Sequence, residues 1–308
     1  MVATVLVVGG THGNERNAPW LLKQWGPSFA ALQRPGLAVH TAIGNPKALV
    51  HCRRYIDRDL NRSFRPDLLQ ARPEPDAPWE VERAQQLVQD FGPSGTTPCQ
   101  VVIDLHSTTA PMGNSLVVYG RRPADLALAA ACQARLGLPI YQHEHDPAQT
   151  GFMAEAWPCG LVLEVGPVPQ GVLSPVICRQ TQLGLETLLD LLAEASQAPL
   201  QLRSPLRLHR HSGSLDLPRD ASGQPVACLH PERLRCDWHP LEPGAPLFQS
   251  SDGDVIPFAG EAGQVTVFSN EAAYQEKNIA TSLARQVTMP IDPSWSLALS
   301  ELLQGVGS

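Results

Sequence analysis

Five short segments of the chain are apolar almost without interruption: Ala3 to Gly9, Leu37 to Ile43, Gln100 to Leu105, Ser115 to Tyr119 and Leu161 to Val165. A strand with one wet face alternates apolar and polar residues, so these Val/Leu/Ile runs predict strands covered on both faces. Between them the period changes. Trp79 to Phe91 sets Val81, Ala84, Leu87, Val88 and Phe91 at helical spacing, and Ala124 to Leu136 is similarly helical. A longer helix is predicted from about Pro175 to Glu194, with Ser174 as its N-cap and Pro175 in the first helical position. The fold class is α/β, a mixed and mostly parallel sheet with flanking helices. Residues 196–205 break the pattern with two prolines. Beyond them, short alternating runs are punctuated by Pro-Arg-Asp, Glu-Pro-Gly and Ser-Asp-Gly, turn chemistry that predicts a smaller β-rich C-terminal domain. The division is placed at 1–198 and 199–308.

Composition narrows the classes. The 308 residues are 43% hydrophobic and 17% charged, which is ordinary for a chain that buries a core. A net charge of −7 argues against a nucleic-acid partner, because that needs a concentrated basic surface. No apolar stretch approaches the roughly 20 residues that cross a bilayer, and the start lacks a charged signal-peptide region, so the expected location is cytoplasmic. Seven cysteines without a CxxC pairing read as reduced, mostly buried side chains. Arginine outnumbers lysine 20 to 3.

Ligands of open parallel sheets collect at the carboxyl ends of the strands. Past the first strand lies Gly9-Gly10-Thr11-His12-Gly13-Asn14-Glu15, past the third Asp104-Leu105-His106, and the fifth ends in Glu164-Val165-Gly166-Pro167. His12, Glu15 and His106 form a two-His, one-carboxylate set that suits tetrahedral Zn²⁺ with one position open. The glycines do not make a phosphate cradle, since both the GxGxxG spacing and the Walker lysine are absent. Residues 53–62 carry four arginines interleaved with aspartates and end in Asn61-Arg62, which suggests an anion-binding loop near the metal. Asp104 is assigned only a supporting role, pointing away from His106. Asp59 is expected to orient Arg54 or Arg62.

Seven blocks in order carry a family resemblance: GGTHGNE at 9–15, GNPKA at 44–48, RYIDRDLNRSF at 54–64, DLHSTT at 104–109, EVGPVPQGVL at 164–173, DWHPLEPG at 237–244 and NEAAYQEK at 270–277. The chain resembles the aspartoacylase and succinylglutamate desuccinylase family, whose fold is zinc carboxypeptidase-like. That resemblance implies a zinc-dependent hydrolase of linear amide bonds, with one Zn²⁺ per subunit on His12, Glu15 and His106. It implies Glu164 as the catalytic carboxylate and Arg54 on the scissile carbonyl. Asn61 and Arg62 would hold the substrate's α-carboxylate, and Tyr274 would make a substrate contact from the second domain. The expected reaction is hydrolysis of an N-acyl-L-aspartate, such as N-acetyl-L-aspartate, to a carboxylate and L-aspartate. Alternatives are a deacylase of neutral or aromatic N-acyl amino acids, a succinylglutamate-type desuccinylase, and a non-catalytic metal-binding scaffold. A small-molecule partner and a homo-oligomer of closed symmetry are expected.

Two positions depart from the family pattern. Ser107 stands where animal aspartoacylases carry asparagine. The Tyr and Arg that grip an acidic side chain upstream of the catalytic glutamate correspond to Thr150 and Ala154. Neither can ion-pair with a carboxylate, so Tyr141, His143, His145, Gln149, Arg121 and Lys277 are the candidates to replace them.

Overall fold

The computed structural model describes residues 2–26, 30–72, 76–144, 149–203 and 205–305. The first lobe runs β1 (Ala3–Gly9), α1 (Asn17–Gln24), β2 (Leu37–Ile43), α2 (Pro46–His51), α3 (Pro66–Leu69), α4 (Trp79–Phe91), β3 (Val101–Ser107), β4 (Ser115–Tyr119), α5 (Pro123–Leu136), β5 (Ile140–His143), β6 (Cys159–Val165) and α6 (Pro175–Gln197). The remainder supplies β7 (Leu206–Leu215), β8 (Ala227–Leu229), β9 (Pro240–Leu241), β10 (Pro246–Ser250), β11 (Val255–Pro257), β12 (Gln264–Val267), β13 (Thr281–Met289) and α7 (Pro293–Gln304).

All five apolar runs are strands, and the reason is visible along β1. Val5 and Val7 join the core with α1, α5, α6 and α7, while Leu6 and Val8 face the opposite cluster with Ala84 and Leu87 of α4. With both faces covered, no polar alternation survives. Strand β5, α1 and α7 carry weaker patterns and were not predicted. Ser174 caps α6 by accepting from the Ile177 N–H at 3.4 Å.

One sheet of ten strands, in the order β2-β1-β3-β6-β4-β5-β7-β13-β12-β9, runs through both lobes. Pairing is parallel from β2 through β1 and β3 to β6, antiparallel between β6 and β4, and parallel again from β4 through β5 to β7. Strand β13 then returns antiparallel along β7 over nine register pairs. The second lobe also holds a small sheet of β11, β10 and β8. Helix α7 crosses back to pack on α5 and α6. Among the described residues, no helix is long and apolar enough to cross a membrane.

The loop after α2 owes its shape to Glu80, which is fully buried in the first turn of α4. Its carboxylate accepts from the backbone N–H groups of Ile56 (2.6 Å), Asp57 (3.0 Å) and Arg58 (3.1 Å), and from Asn45 Nδ2 (2.8 Å). Three consecutive donors converging on one carboxylate fix the backbone between Arg54 and Asp59. A glutamine there keeps one acceptor oxygen and turns the other into a donor facing donors. Glu80→Gln is therefore expected to lower stability by about 3 kcal/mol, read as a lower urea midpoint at unchanged m.

Candidate active site

The site is assembled at the carboxyl ends of β1, β3 and β6. After β1 the backbone turns through Gly10 at φ +73°, a conformation that side chains disfavour. Three residues on, a Cβ at Gly13 would lie 2.0 Å from the Ala48 carbonyl carbon, so only glycine allows this turn to press against α2. Two backbone bonds lock the turns together, Gly44 N–H to Gly9 O at 3.0 Å and Asn45 N–H to Gly10 O at 2.8 Å. His12 and Glu15 are displayed on the outside of this turn. On β3, Asp104 and His106 are two residues apart and share a face, as alternate residues of a strand must. The expectation that Asp104 points away is thus corrected: its Oδ2 is 2.7 Å from His106 Nε2.

His12 Nδ1 lies 2.6 Å from Glu15 Oε1, and His106 Nδ1 lies 3.1 Å from Glu15 Oε2. The three groups' ligand atoms fall within 4.8 Å of one another. The other nitrogen of each ring meets a carboxylate, His12 Nε2 with Asp59 at 3.1 Å and His106 Nε2 with Asp104 at 2.7 Å. An Nε2 proton donated to an aspartate leaves the Nδ1 lone pair facing Glu15, the tautomer a metal ligand requires. The donor set therefore fits a borderline cation such as zinc. Thr11 Oγ1 donates to Asp104 at 2.6 Å, and the Ser107 N–H donates to Glu15 at 2.9 Å. This last bond is made by backbone, so the Ser107 departure leaves it intact.

Charge follows the same wiring. Burial alone raises the Glu15 carboxyl, but His106 and His12 outweigh it and hold the group far below the usual range. Asp59 is treated alike by Arg54 and His12. Arg54 donates to Asp59 at 2.9 Å and lies 3.9 Å from Glu15, and these two anions hold it charged against its burial. Asp59 thus orients both Arg54 and His12.

All eight residues singled out from the sequence, His12, Glu15, Arg54, Asn61, Arg62, His106, Glu164 and Tyr274, border one cavity. Glu164 stands beside His106 in the β3–β6 register. Burial pushes its carboxyl up to about 8, opposed by His106 and reinforced by the carboxylates of Glu15, Glu271 and Asp104. Arg62 lies flat on Phe152, its Cζ 4.0 Å from the ring centre, and donates to Gln149 at 3.0 Å. Asn61 is less free than expected. Its Oδ1 accepts from the Met153 N–H at 2.8 Å and its Nδ2 donates to Asp104 at 3.1 Å.

The sequence reading missed Glu271, a buried carboxylate of the second lobe. It accepts from the Thr108 hydroxyl and from the Thr109 (2.8 Å) and Ala110 (3.2 Å) N–H groups, and caps the short 3₁₀ turn Ala272–Lys277 through Ala273 (3.1 Å). Its place in the NEAAYQEK block was the available signal.

A family model described as the succinylglutamate desuccinylase/aspartoacylase catalytic domain matches residues 1–192, and the AstE/AspA barrel-sandwich hybrid domain matches 204–286. A protein of Prochlorococcus marinus (strain MIT 9313) named "Probable aspartoacylase" is 54% identical over 299 residues, covering 97% of this chain and 98% of its own. The chain belongs to the succinylglutamate desuccinylase/aspartoacylase family. Murine aminoacylase 3 shares the fold at 35% identity and a TM-score of 0.85, over 94% of this chain and 97% of that one. Succinylglutamate desuccinylase from Vibrio parahaemolyticus, at 17% identity, a TM-score of 0.61 and 94% and 84% coverage, shares the fold alone. Family and relatives indicate an amide hydrolase of the aspartoacylase or desuccinylase type.

Within that family frame, the two clamp positions stay away from the cavity. Thr150 is exposed and Ala154 is buried in the core, and neither borders the cavity. Tyr141, His143 and Gln149 do border it, Lys277 is not among the residues that line it, and Arg121 is turned to Glu144 through two bonds of 2.9 and 2.8 Å. His145 lies outside the described residues.

The grip on His106 has a measurable consequence. Asp104→Asn removes the charge that fixes its tautomer and is expected to weaken zinc affinity about 10- to 100-fold, measured by competition with a chromogenic chelator.

Proposed function

We propose that the chain is a zinc-dependent amidohydrolase that cleaves an N-acyl-L-amino acid into a carboxylate and the free amino acid, with N-acyl-L-aspartate as the first assignment. The observation that carries this reading is one cavity bordered by a carboxylate-backed His12–Glu15–His106 group, Glu164 and Arg54. Zinc held by those three side chains supplies a Lewis acid that polarises a carbonyl and makes water more acidic.

The chain's own residues do the rest. Glu164 takes the proton of the attacking water and delivers it to the leaving amine, and its raised pKa suits both duties. Arg54 stabilises charge developing on the carbonyl oxygen, already oriented by Asp59. Arg62, preset by Phe152 and Gln149, takes the α-carboxylate. Asn61 acts by fixing Asp104 behind His106. Residues 1–198 carry the chemistry, while 199–308 contribute Tyr274 to the cavity wall.

The aspartate assignment is supported by the names of the relatives. A second reading, a neutral or aromatic side chain, is favoured by the cavity's own wall, where Val117, Tyr119, Tyr141, Phe152, Val162 and Phe268 present apolar surface. An acidic side chain against that wall would lose hydration without compensation.

Four measurements test these statements. Glu164→Ala is expected to keep one zinc per chain and lose about 10²- to 10⁴-fold in kcat, while His106→Ala loses metal and activity together. Hydrolysis that survives a chelator overturns the zinc reading, and an intact chain that binds zinc without hydrolysing any substrate returns it to a scaffold. Across N-acetyl amino acids, equal kcat/KM for aspartate and phenylalanine sinks the aspartate assignment. Because the base must be ionised, kcat/KM is expected to decline as pH falls through the pKa of Glu164.

A further inference from the structure

Lys277 closes the NEAAYQEK block and lies three residues after Tyr274 in the same 3₁₀ turn. Residues three apart eclipse in such a turn, which stacks the lysine on the tyrosine that borders the cavity. Its Nζ is 5.7 Å from the Tyr274 ring centre. The ammonium is enclosed by protein, and among the described residues it makes no hydrogen bond.

Two cations, Arg62 and Arg54, and two acids, Asp59 and Glu276, surround it. The nearest acid is Asp59, whose Oδ2 is 3.9 Å away and already accepts from Arg54, while Oδ1 serves His12 and the Asn61 N–H. Glu276 is the other acid nearby, and it accepts from the Tyr55 hydroxyl at 2.6 Å. Burial, with Arg62 and Arg54 alongside, brings the lysine down to about 8. An enclosed ammonium with no hydrogen bond, and with its nearest carboxylate 3.9 Å away and already engaged, is costly until an anion arrives.

Of the two residues expected to hold the α-carboxylate, only Arg62 keeps donors to offer it. Arg62 divides its guanidinium between Asn61 O (2.6 Å) and Gln149 (3.0 Å), and both ends of the Asn61 amide are taken. We propose that Lys277, together with Arg62, receives the α-carboxylate of the substrate. Its flexible four-carbon stem lets the ammonium follow the ligand, as a planar guanidinium held at both ends cannot. The assignment rests on the N-acyl amino acid reading above.

The test is equilibrium binding to zinc-loaded Glu164→Ala protein, with N-acetyl-L-aspartate, N-acetyl-L-phenylalanine and the α-carboxamide of each as probes. With Lys277 present, each acid is expected to bind about tenfold or more tightly than its carboxamide. Lys277→Met removes most of that preference for both side chains, and Lys277→Arg restores part of it. An unchanged ratio in Lys277→Met overturns the proposal, as does equal weakening of acid and carboxamide, an effect confined to the aspartate pair, or failure of both acids to bind. Hydrolysis by protein that retains Glu164 is followed in parallel. Absence of turnover alongside Lys277-dependent carboxylate binding defeats the reaction and leaves the receptor standing.

Discussion

A buried carboxylate between two imidazoles, each gripped from behind by another carboxylate, is the arrangement to which the rest of the site is tied. Glu15 can sit there only because His12 and His106 offset its desolvation, and they keep their orientation because Asp59 and Asp104 hold the far nitrogens. Those aspartates are held in turn, Asp104 by Thr11 and Asn61, Asp59 by Arg54 and the Asn61 N–H. The chain of contacts joins the turn after β1, the end of β3 and the loop after α2 into one unit. It also divides the cavity electrically. Carboxylates crowd around the imidazoles, whereas Arg54 and Arg62 gather on the side of Asp59, with Lys277 behind it outside the cavity lining. A substrate with one anionic end meets a field that orients it before any close contact forms.

The second lobe belongs to this unit. Glu271 closes the turn that follows His106, and the same turn exchanges backbone bonds with the segment after Glu164, Thr108 N–H to Val165 O at 3.2 Å and Val168 N–H to Thr108 O at 3.0 Å. Trp238 adds a bond from its indole to Met112 O at 2.7 Å. The spacing between His106 and Glu164 is therefore set by contacts from both lobes.

What could be read from the sequence was what local pattern records. The apolar runs marked strands because both faces of the sheet are covered, and residues directly past three of those runs became the heart of the site. Roles that depend on distant partners left no such trace. Glu80 looks like an ordinary acidic residue in a first helical turn, and only folding brings it to the amides of residues 56–58. Asp104 was misjudged through the strand period itself, since alternate residues share a face. Arg121 was a reasonable cation for the cavity until its partner Glu144 fixed it elsewhere. Helix α7 escaped because the turn-rich texture before it suggested β structure to the end of the chain.

The ten-stranded sheet imposes an order of assembly. His12, Glu15, His106 and Glu164 all lie within the first 164 residues, yet β5 has β4 on one side and acquires β7 on the other only when later chain arrives. During synthesis β5 is then an edge, with unpaired amides and the apolar Ile140 at its start. Helix α7, which covers α5 and α6, comes last of all. A chain stopped after α6 would hold His12, Glu15, His106 and Glu164 but carry an open sheet margin, inviting pairing with another nascent copy instead of with itself.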